Sequence, residues 1–248
     1  MRVPESWQDK HGNYSIFYER LDVAVEQQIE IDGFRLRVLY EKPRQGFTYG
    51  CSPADLARIL RASASLLPCL PDIIAFRQPT RKQRQQKSVW GRFLYYANIG
   101  RHEGSAIILE AQELGSLLKW TKRMTIEDRS EYERLVSDGH VFVETKRSFQ
   151  AELNENAVRN TVLYRTFLHE LGHMAHHHQD VLDERTALDQ DRELAEELFF
   201  SKPVSEREVF AHAFAEKIGK SLRHSGAAPF DPEPFRCSGP SHLQAGSG

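Results

Sequence analysis

The stretch VLYRTFLHELGHMAHHHQD, residues 162–180, decides how this chain is interpreted, because it holds five of the eleven histidines. Within it, His169, Glu170 and His173 form an HExxH pattern, HELGH. Residues four apart on a helix lie on one face, with Cβ atoms about 6 Å apart, so both imidazoles can reach a single ion. Two neutral imidazoles leave Zn²⁺ in need of a third protein ligand and one open position. The spacing therefore predicts a zinc site, with Glu170 beside it as general base and acid.

The apolar residues around the pattern indicate that this helix is buried. Leu168, Leu171 and Met174 make it apolar on most sides, so both histidines are expected to be buried, where an unpaired imidazole is costly. Gly172 inside such a helix costs about 1 kcal/mol relative to Ala, which predicts that another backbone or a ligand approaches closely there. The alternative is an ordinary buried helix with hydrogen-bonded histidines. The periodicity predicts one long helix over residues 155–178.

The third ligand has to come from elsewhere, and the segment SEREVFAHAFAEKIGKSL, residues 205–222, offers the candidates. Glu208 is the predicted ligand, because the alanines that follow it allow close approach to the HExxH helix. The alternative is that Glu208 only completes a capping box opened by Ser205. A helix that starts near Pro203 would place Glu208 in its second turn and favour the ligand interpretation. Glu206 is the substitute ligand, and His212 is either a partner of a ligand or a ligand itself.

The two segments together resemble a known family. HELGH followed by EVFAHAFAEKI is similar to the zincin metallopeptidases with a glutamate third ligand, and most similar to the ImmA/IrrE-like peptidases, whose second motif is E-x-x-A-N-x-F-A. The matching residues are Glu208, Ala211, Phe214 and Ala215, and His212 stands where the family has asparagine. The resemblance covers at most residues 105–220. It implies a compact protease domain in which an edge strand holds an extended peptide, and a regulatory protease that cuts a protein partner such as a DNA-binding repressor.

Patterns elsewhere predict an α+β protein. IEIDGFRLRVLY, residues 29–40, alternates around Asp32-Gly33 and predicts a hairpin, whereas Ser52 with Asp55 predicts a capped helix over residues 53–67. DIIAFRQ, GRFLYYANIG and SAIILEAQ predict strands, and the last is the candidate edge strand for substrate. A second capping box at Thr125 predicts a helix to about Ser137, with a strand or hairpin arm in HVFVETKRSF. With the resemblance, we expect a zincin-like domain whose small mixed sheet packs on the HExxH helix and a following ligand helix, after a β-rich N-terminal part.

Composition limits the class of protein. A length of 248 residues with 40% hydrophobic residues and a formal net charge of -2 indicates a globular protein without a global field for nucleic acid or membrane. Three cysteines without a CxxC pair favour a reducing compartment, and no run approaches the roughly 20 apolar residues needed to span a bilayer. We therefore expect a cytoplasmic protein with no membrane partner. We expect three regions: residues 1–70, either separate from the metallopeptidase domain or integral to it; residues 71–224, the metallopeptidase domain; and residues 225–248, a disordered tail.

A run of cations separates two of the predicted strands. RQPTRKQRQQKSVWGR, residues 77–92, contains no acidic residue. Its candidate nucleic-acid contacts are Arg77, Arg81, Lys82, Arg84 and Lys87. The plainer interpretation is a solvated polar loop. A second functional hypothesis is thus a nucleic-acid-associated protein that acts through this loop, and a third is a non-catalytic module stabilised by a closed, four-ligand zinc site.

Other histidines and tyrosines leave their roles open. His176 and His177 follow one turn after the HExxH pattern, where histidines either touch the site or face solvent at a helix end, and the second is favoured. His140, Tyr132 and Tyr164 are candidate donors of a hydrogen bond to the transition state. The sequence does not choose among them.

Overall fold

The computed structural model describes residues 6–8, 14–16, 19–21, 25–86, 89–182 and 191–235, and it combines strands with helices. The strands are β1 (Ser6–Gln8), β2 (Tyr14–Ile16), β3 (Val25–Ile31), β4 (Phe34–Tyr40), β5 (Phe47–Thr48), β6 (Ile73–Arg77), β7 (Gly91–Ile99), β8 (His102–Glu110), β9 (Gln112–Glu113), β10 (Leu117–Thr121), β11 (Val143–Glu144) and β12 (Ser148–Glu152). The helices are α1 (Pro53–Ser63), α2 (Arg81–Gln86), α3 (Ile126–Ser137), α4 (Glu155–Thr161), α5 (Phe167–His177), α6 (Asp191–Ser201) and α7 (Val204–His224). Two π-helical turns, Val162–Thr166 and His178–Leu182, flank α5. The predicted α+β class is confirmed.

The largest sheet is small and mixed, as expected. Its strand order is β3-β4-β6-β8-β7, with β4, β6 and β8 parallel and both edge strands antiparallel to their neighbours. Residues 73–76 of β6 and 106–109 of β8 have no exposed surface. A continuous apolar run of this kind is typical of strands covered on both faces. The sheet therefore has a fully buried centre, and β7 forms the edge nearest to α5.

The predicted hairpin and the two capped helices are confirmed. β3 and β4 join through Asp32 and Gly33, both with positive φ, 49° and 84°. The capping box of α1 is closed by two reciprocal bonds, from Asp55 N–H to Ser52 Oγ at 3.1 Å and from Ser52 N–H to Asp55 Oδ2 at 2.8 Å. Thr125 caps α3 in the same way. β11 and β12 pair as the expected hairpin arm.

The N-terminal region is part of the main sheet rather than a separate unit. β4 pairs in parallel with β6, so the described part of residues 1–70 shares a sheet with residues 71–224. Asp55 at the start of α1 also forms a buried ion pair with Arg159 of α4, at 2.7 Å from its Nη1. Breaking such a pair typically costs about 3–5 kcal/mol. The two regions are therefore integral to each other.

One hydrophobic core joins the sheet to the helices that carry the site. It contains Leu56 and Ile59 of α1, Ile74 and Phe76 of β6, Ile107 and Leu109 of β8, Phe167 and Leu171 of α5, and Ile218 and Leu222 of α7. Each such side chain contributes roughly 1.5–3 kcal/mol when fully buried. The HExxH helix therefore runs through the centre of the molecule, as its apolar surroundings predicted.

Three expectations about the remaining segments are corrected. SAIILEAQ is not an edge strand: β8 lies between β6 and β7, because its side chains fill the core on both faces. The polar connection before β7 contains the short helix α2. The described part of the tail, residues 225–235, is not disordered, since the Phe235 ring packs on Phe76 at 5.5 Å and the Phe230 ring on Tyr164 at 5.9 Å. Residues 236–248 and 183–190, the latter within the acidic segment, lie outside the described residues.

Candidate metal centre

Helices α5 and α7 bring the predicted ligands together through a backbone contact. A Cβ added to Gly172 would lie 2.7 Å from both Cα and O of Ala211, so the two helices touch where Gly172 lacks a side chain. This confirms the close approach predicted from the glycine. α7 begins at Val204 with Pro203 as its N-cap, so Ser205 lies inside the helix and opens no capping box. Glu208 is therefore in the second turn, one turn before the contact at Ala211.

His169, His173 and Glu208 converge on one point. The two imidazole Nε2 atoms lie 3.1 Å apart, and the Glu208 carboxylate oxygens lie 3.2 Å from His169 Nε2 and 3.5 Å from His173 Nε2. Two ligands at about 2.0–2.1 Å from one ion at a tetrahedral angle are about 3.3 Å apart. The three side chains are thus spaced so that they could hold one tetrahedrally coordinated ion. Within the described part of the chain, these three side chains are the one such group of potential metal ligands.

The protonation states of His173 and Glu208 also suit a cation. Burial, together with the neighbouring His169, lowers the pKa of His173 to about 4, so its imidazole is neutral near pH 7. The hydrogen bond with His169 leads the causes that lower the pKa of Glu208, so this carboxylate is ionised. Metal ligands must be neutral imidazoles and ionised carboxylates.

Glu170 lies beside the triad as a buried carboxylate. Its side chain is 6% exposed, and it accepts a hydrogen bond from the backbone N–H of Phe93 in β7. Burial raises the pKa of Glu170 to about 7, against the lowering effect of His169. A carboxyl group whose pKa lies near the working pH can both accept and return a proton. Glu170 is therefore a buried carboxyl group beside the triad that can take either protonation state near neutral pH.

The two substitute ligands lie outside the triad. Glu206 is exposed and forms an ion pair with Lys202 at 3.6 Å. The His212 ring packs against the His169 ring, with centroids 4.3 Å apart, but its nitrogens are not part of the ligand group. His212 therefore packs against one member of the triad and contributes no atom to the group itself.

His176 and His177 are buried, contrary to the favoured expectation. The His176 ring stacks on Phe210 at 4.1 Å, and its Nε2 lies 3.2 Å from an Asp180 carboxylate oxygen. The His177 ring packs between Tyr95 and Phe199, at 4.9 and 5.1 Å. The helix end is covered by α6 and α7, which local sequence does not reveal. Both rings serve packing and belong to neither cavity beside the triad.

None of the three candidate transition-state donors reaches the triad. His140 hydrogen-bonds to Thr161 through Nε2 at 3.0 Å, and the Tyr132 ring packs on Phe142. The Tyr164 hydroxyl accepts a hydrogen bond from Phe230 N–H at 3.1 Å. Tyr95, which the sequence interpretation did not single out, instead lines the cavity that contains the triad. Its alternation with Phe93 along β7 is the signal that would have found it.

Two cavities meet at the triad and form one cleft along β7. A cavity of about 410 Å³ is lined by Tyr95, Val204 and Arg207, and a second of about 470 Å³ by Leu118, Trp120, Leu135 and His212. Both are also lined by Gly91, His169, Glu170 and Glu208. His169 and Glu208 therefore lie between two adjacent cavities, and His173 lines the first of them.

The basic segment does not present its charges as one surface. Arg77 is 3% exposed and paired with Glu110 at 2.9 Å, so its guanidinium does not face solvent and the expected phosphate contact at this residue is wrong. Arg84 pairs with Glu113 and lies over the Phe47 ring. Arg81 and Lys82 are exposed on α2, and Lys87 lies outside the described residues. The cationic run is thus divided between the core and the surface.

Comparisons with known proteins gave no match. No family model matches the chain, no curated protein matches its sequence, and no solved structure matches its fold. No helix within the described residues has both the length and the apolar character to cross a bilayer. These comparisons offer no relative whose activity could be carried over, so the function is inferred from the site.

Proposed function

We propose that the chain is a zinc-dependent peptidase, with His169, His173 and Glu208 as metal ligands and Glu170 as general base and acid. The convergence of two imidazole nitrogens and a carboxylate, all within 3.5 Å of one another, carries this proposal. Three protein ligands beside an open cavity are typical of catalytic zinc sites, whereas structural sites are closed by four. Zinc bound there would polarise the scissile carbonyl and activate water.

Glu170 moves the proton in this proposal. It accepts a proton from the attacking water and delivers it to the nitrogen of the leaving amine, so the peptide C–N bond breaks without net proton change at the enzyme. The N–H of Phe93 holds its carboxylate in place, which fixes the side chain that has to reach both atoms. The pKa of about 7 makes both protonation states accessible near neutral pH.

The edge strand β7 supports a peptide as the substrate. Trp90 C=O accepts a hydrogen bond from Glu110 N–H at 3.0 Å. In an antiparallel pair of strands, every second residue directs its N–H and C=O away from the partner strand. The N–H and C=O groups of Gly91 and Phe93 therefore point away from β8. Phe93 N–H meets Glu170, and Gly91 and Phe93 both line the cavity beside the triad. An extended peptide can add to such an edge through its own backbone, which binds many sequences. β7 thus takes the role first expected of β8.

Tyr95 is the proposed donor to the transition state. Its hydroxyl accepts a hydrogen bond from Arg207, and its proton remains available for a developing oxyanion. Burial raises the pKa of Tyr95, so the hydroxyl keeps that proton near pH 7. Tyr95 and Glu170 line the same cavity, so both can act on one peptide bond.

The finer assignment follows from the resemblance of the two motifs. We infer a zincin-like fold of the ImmA/IrrE type, in which the small mixed sheet, α5 and α7 form the protease domain. On that resemblance the substrate is a specific protein, such as a DNA-binding repressor, in the cytoplasm. Nucleic-acid binding through residues 77–92 has less support, because Arg77 is buried. A closed zinc module also has less support, since three side chains converge beside a cleft in the described residues.

Metal content and turnover together test the proposal. The purified protein should contain about one zinc per chain and cleave peptides from a quenched fluorescent library or an unfolded protein. Glu170→Gln should keep its zinc and lose about 10²–10⁴ of kcat, because the proton carrier is removed. Glu208→Gln should lose zinc, whereas the matched control Glu206→Gln should keep both zinc and activity. Wild-type turnover by Glu170→Gln, or the absence of zinc from the wild type, would refute the assignment.

A further inference from the structure

Arg207 differs from the other arginines of the cleft. Arg92 pairs with Glu110 at 2.9 Å, and Arg165 pairs with Glu131 at the same distance. Arg134 also pairs with Glu131, at 3.0 Å. Arg207 forms no ion pair with any carboxylate of the described residues, although it lines the cavity beside the triad. No carboxylate of the described residues therefore occupies the N–H donors of Arg207 in an ion pair, although Glu170 and Glu208 line the same cavity.

The surroundings of Arg207 hold its guanidinium in place. The group lies 5.8 Å from the Phe199 ring centroid and 6.0 Å from that of Phe200, and it donates to the Tyr95 hydroxyl. Its Nε is buried and has no hydrogen-bond partner among the described residues. A guanidinium has five N–H donors, so one bond to Tyr95 leaves donors for a further acceptor. The charge is thus oriented and incompletely hydrogen-bonded.

We propose that Arg207 anchors a carboxylate of the substrate, either an acidic side chain near the scissile bond or a free C-terminal carboxylate. The inference rests on the proposed function, because it requires that the cleft receives a peptide. Arg207 lines the same cavity as His169, His173 and Glu208, so a carboxylate bound to it lies next to the proposed metal ligands. The planar guanidinium matches a carboxylate with two parallel hydrogen bonds, which a lysine does not reproduce. The site therefore selects acidic peptides.

Binding to a protein that does not cleave tests the anchor. Zinc-loaded Glu170→Gln protein is titrated with labelled peptides that differ only by Glu or Gln, placed at successive positions, each with a free or an amidated C-terminus. Fluorescence anisotropy should show roughly tenfold or greater weakening when the carboxylate that Arg207 binds is neutralised. Arg207→Met in the same background keeps the apolar stem and should abolish the preference. Arg223→Ala, near the other end of α7, is the matched control and should keep it.

The outcomes separate the anchor from the peptidase. A preference for Glu over Gln that Arg207→Met abolishes identifies a side-chain carboxylate, and a preference for the free C-terminus identifies a terminal one. No preference in any pair, no binding of any acidic peptide, or a preference that survives Arg207→Met overturns the anchor. If Arg207→Met loses zinc, Arg207→Lys keeps the charge and should retain only part of the preference; full retention overturns the two-bond anchor. If the wild type cleaves Glu and Gln peptides equally, the carboxylate anchor is wrong and the proposed peptidase activity stands. If acidic peptides bind in a way that depends on Arg207 but are not cleaved, the anchor stands and the peptidase activity is wrong.

Discussion

Replacing Gly172 by Ala perturbs the contact on which the proposed zinc site depends. The added Cβ would lie 2.7 Å from Cα and O of Ala211, whereas carbon atoms prefer separations of about 3.5–4.0 Å. Because both neighbours are backbone atoms, a rotamer change cannot relieve the clash, and α5 and α7 have to separate by roughly 1 Å. Glu208 lies one turn before Ala211 and moves with α7. Its carboxylate then withdraws from His169 and His173, which it now approaches to 3.2 and 3.5 Å.

The size of the effect follows from two opposing contributions to stability. Overpacking a core contact costs about 1–3 kcal/mol, and alanine gains about 1 kcal/mol over glycine inside a helix. The free energy of unfolding should therefore fall by roughly 0–2 kcal/mol. Zinc affinity should fall more visibly, by about 10–100-fold, the range typical for losing an outer-shell partner of a metal ligand. We thus expect a folded protein with a weakened metal site.

Competition with a chromophoric chelator measures the zinc affinity, and urea unfolding measures the stability. Gly219→Ala is the matched control on α7, because the atoms nearest its added Cβ are side-chain atoms at 3.4 Å or more. It should leave zinc affinity unchanged and raise stability by up to about 1 kcal/mol. Wild-type zinc affinity in Gly172→Ala would show that the backbone contact does not hold Glu208 in place.

Three further predictions concern the cleft, the buried ion pair and the metal. Tyr95→Phe should lower kcat by about 10²-fold at unchanged zinc content, as for other lost oxyanion donors, and an unchanged kcat would remove Tyr95 from the mechanism. Asp55→Asn should cost about 3–5 kcal/mol in urea unfolding, because Arg159 is left buried without its partner. Burial raises the pKa of Asp55, but its hydrogen bonds, the strongest of which comes from Arg159, hold that pKa below its usual value. The wild type should therefore lose stability as pH falls below about 4, with a flatter profile in Asp55→Asn. Free zinc at 100 times its Kd should stabilise the apoprotein by about 2.7 kcal/mol, measured by thermal unfolding with and without a chelator, and no shift would argue against a metal site.

The ligand helices could be predicted because their signals are local. The HELGH spacing needs only the geometry of one helix, and Gly172 signals a close neighbour without naming it. The choice between Glu208 as a ligand and Glu208 as part of a capping box depended on where α7 begins, and its start at Val204 leaves no capping box at Ser205. Local sequence patterns thus identified the three residues of the triad as candidates, whereas their convergence depends on how α5 and α7 pack together.

The edge of the sheet could not be predicted, because strand order depends on residues far apart in the chain. Both SAIILEAQ and GRFLYYANIG are apolar enough to be strands, and neither sequence indicates which strands lie beside it in the sheet. In retrospect, the unbroken apolar run of β8 is typical of a central strand, and the more mixed β7 is typical of an edge. The edge position was therefore assigned to β8 when it belongs to β7, and the substrate-holding role stays a prediction.

The ion-pair partners of the arginines could not be predicted from the sequence either. Arg77 belongs to a run without acidic residues, yet its partner Glu110 is on another strand and both are buried. Conversely, Arg207 lies between Glu206 and Glu208 in sequence and pairs with neither, since Glu206 pairs with Lys202 and Glu208 approaches the two histidines. A run of like charges therefore says little about which of its members can bind a ligand.

Arg207 is next to Glu208 in sequence, so variants can be chosen that distinguish loss of zinc binding from loss of the preference for acidic peptides. Any change that moves α7 away from α5 displaces the metal ligand and the proposed anchor together, because one helical turn carries both. Gly172→Ala should accordingly weaken zinc and the preference for acidic peptides in parallel. Arg207→Met leaves the backbone contact at Ala211 intact and should remove the preference alone. If both variants instead lost zinc and preference to the same extent, Arg207 would act by positioning α7, and the carboxylate anchor would be wrong.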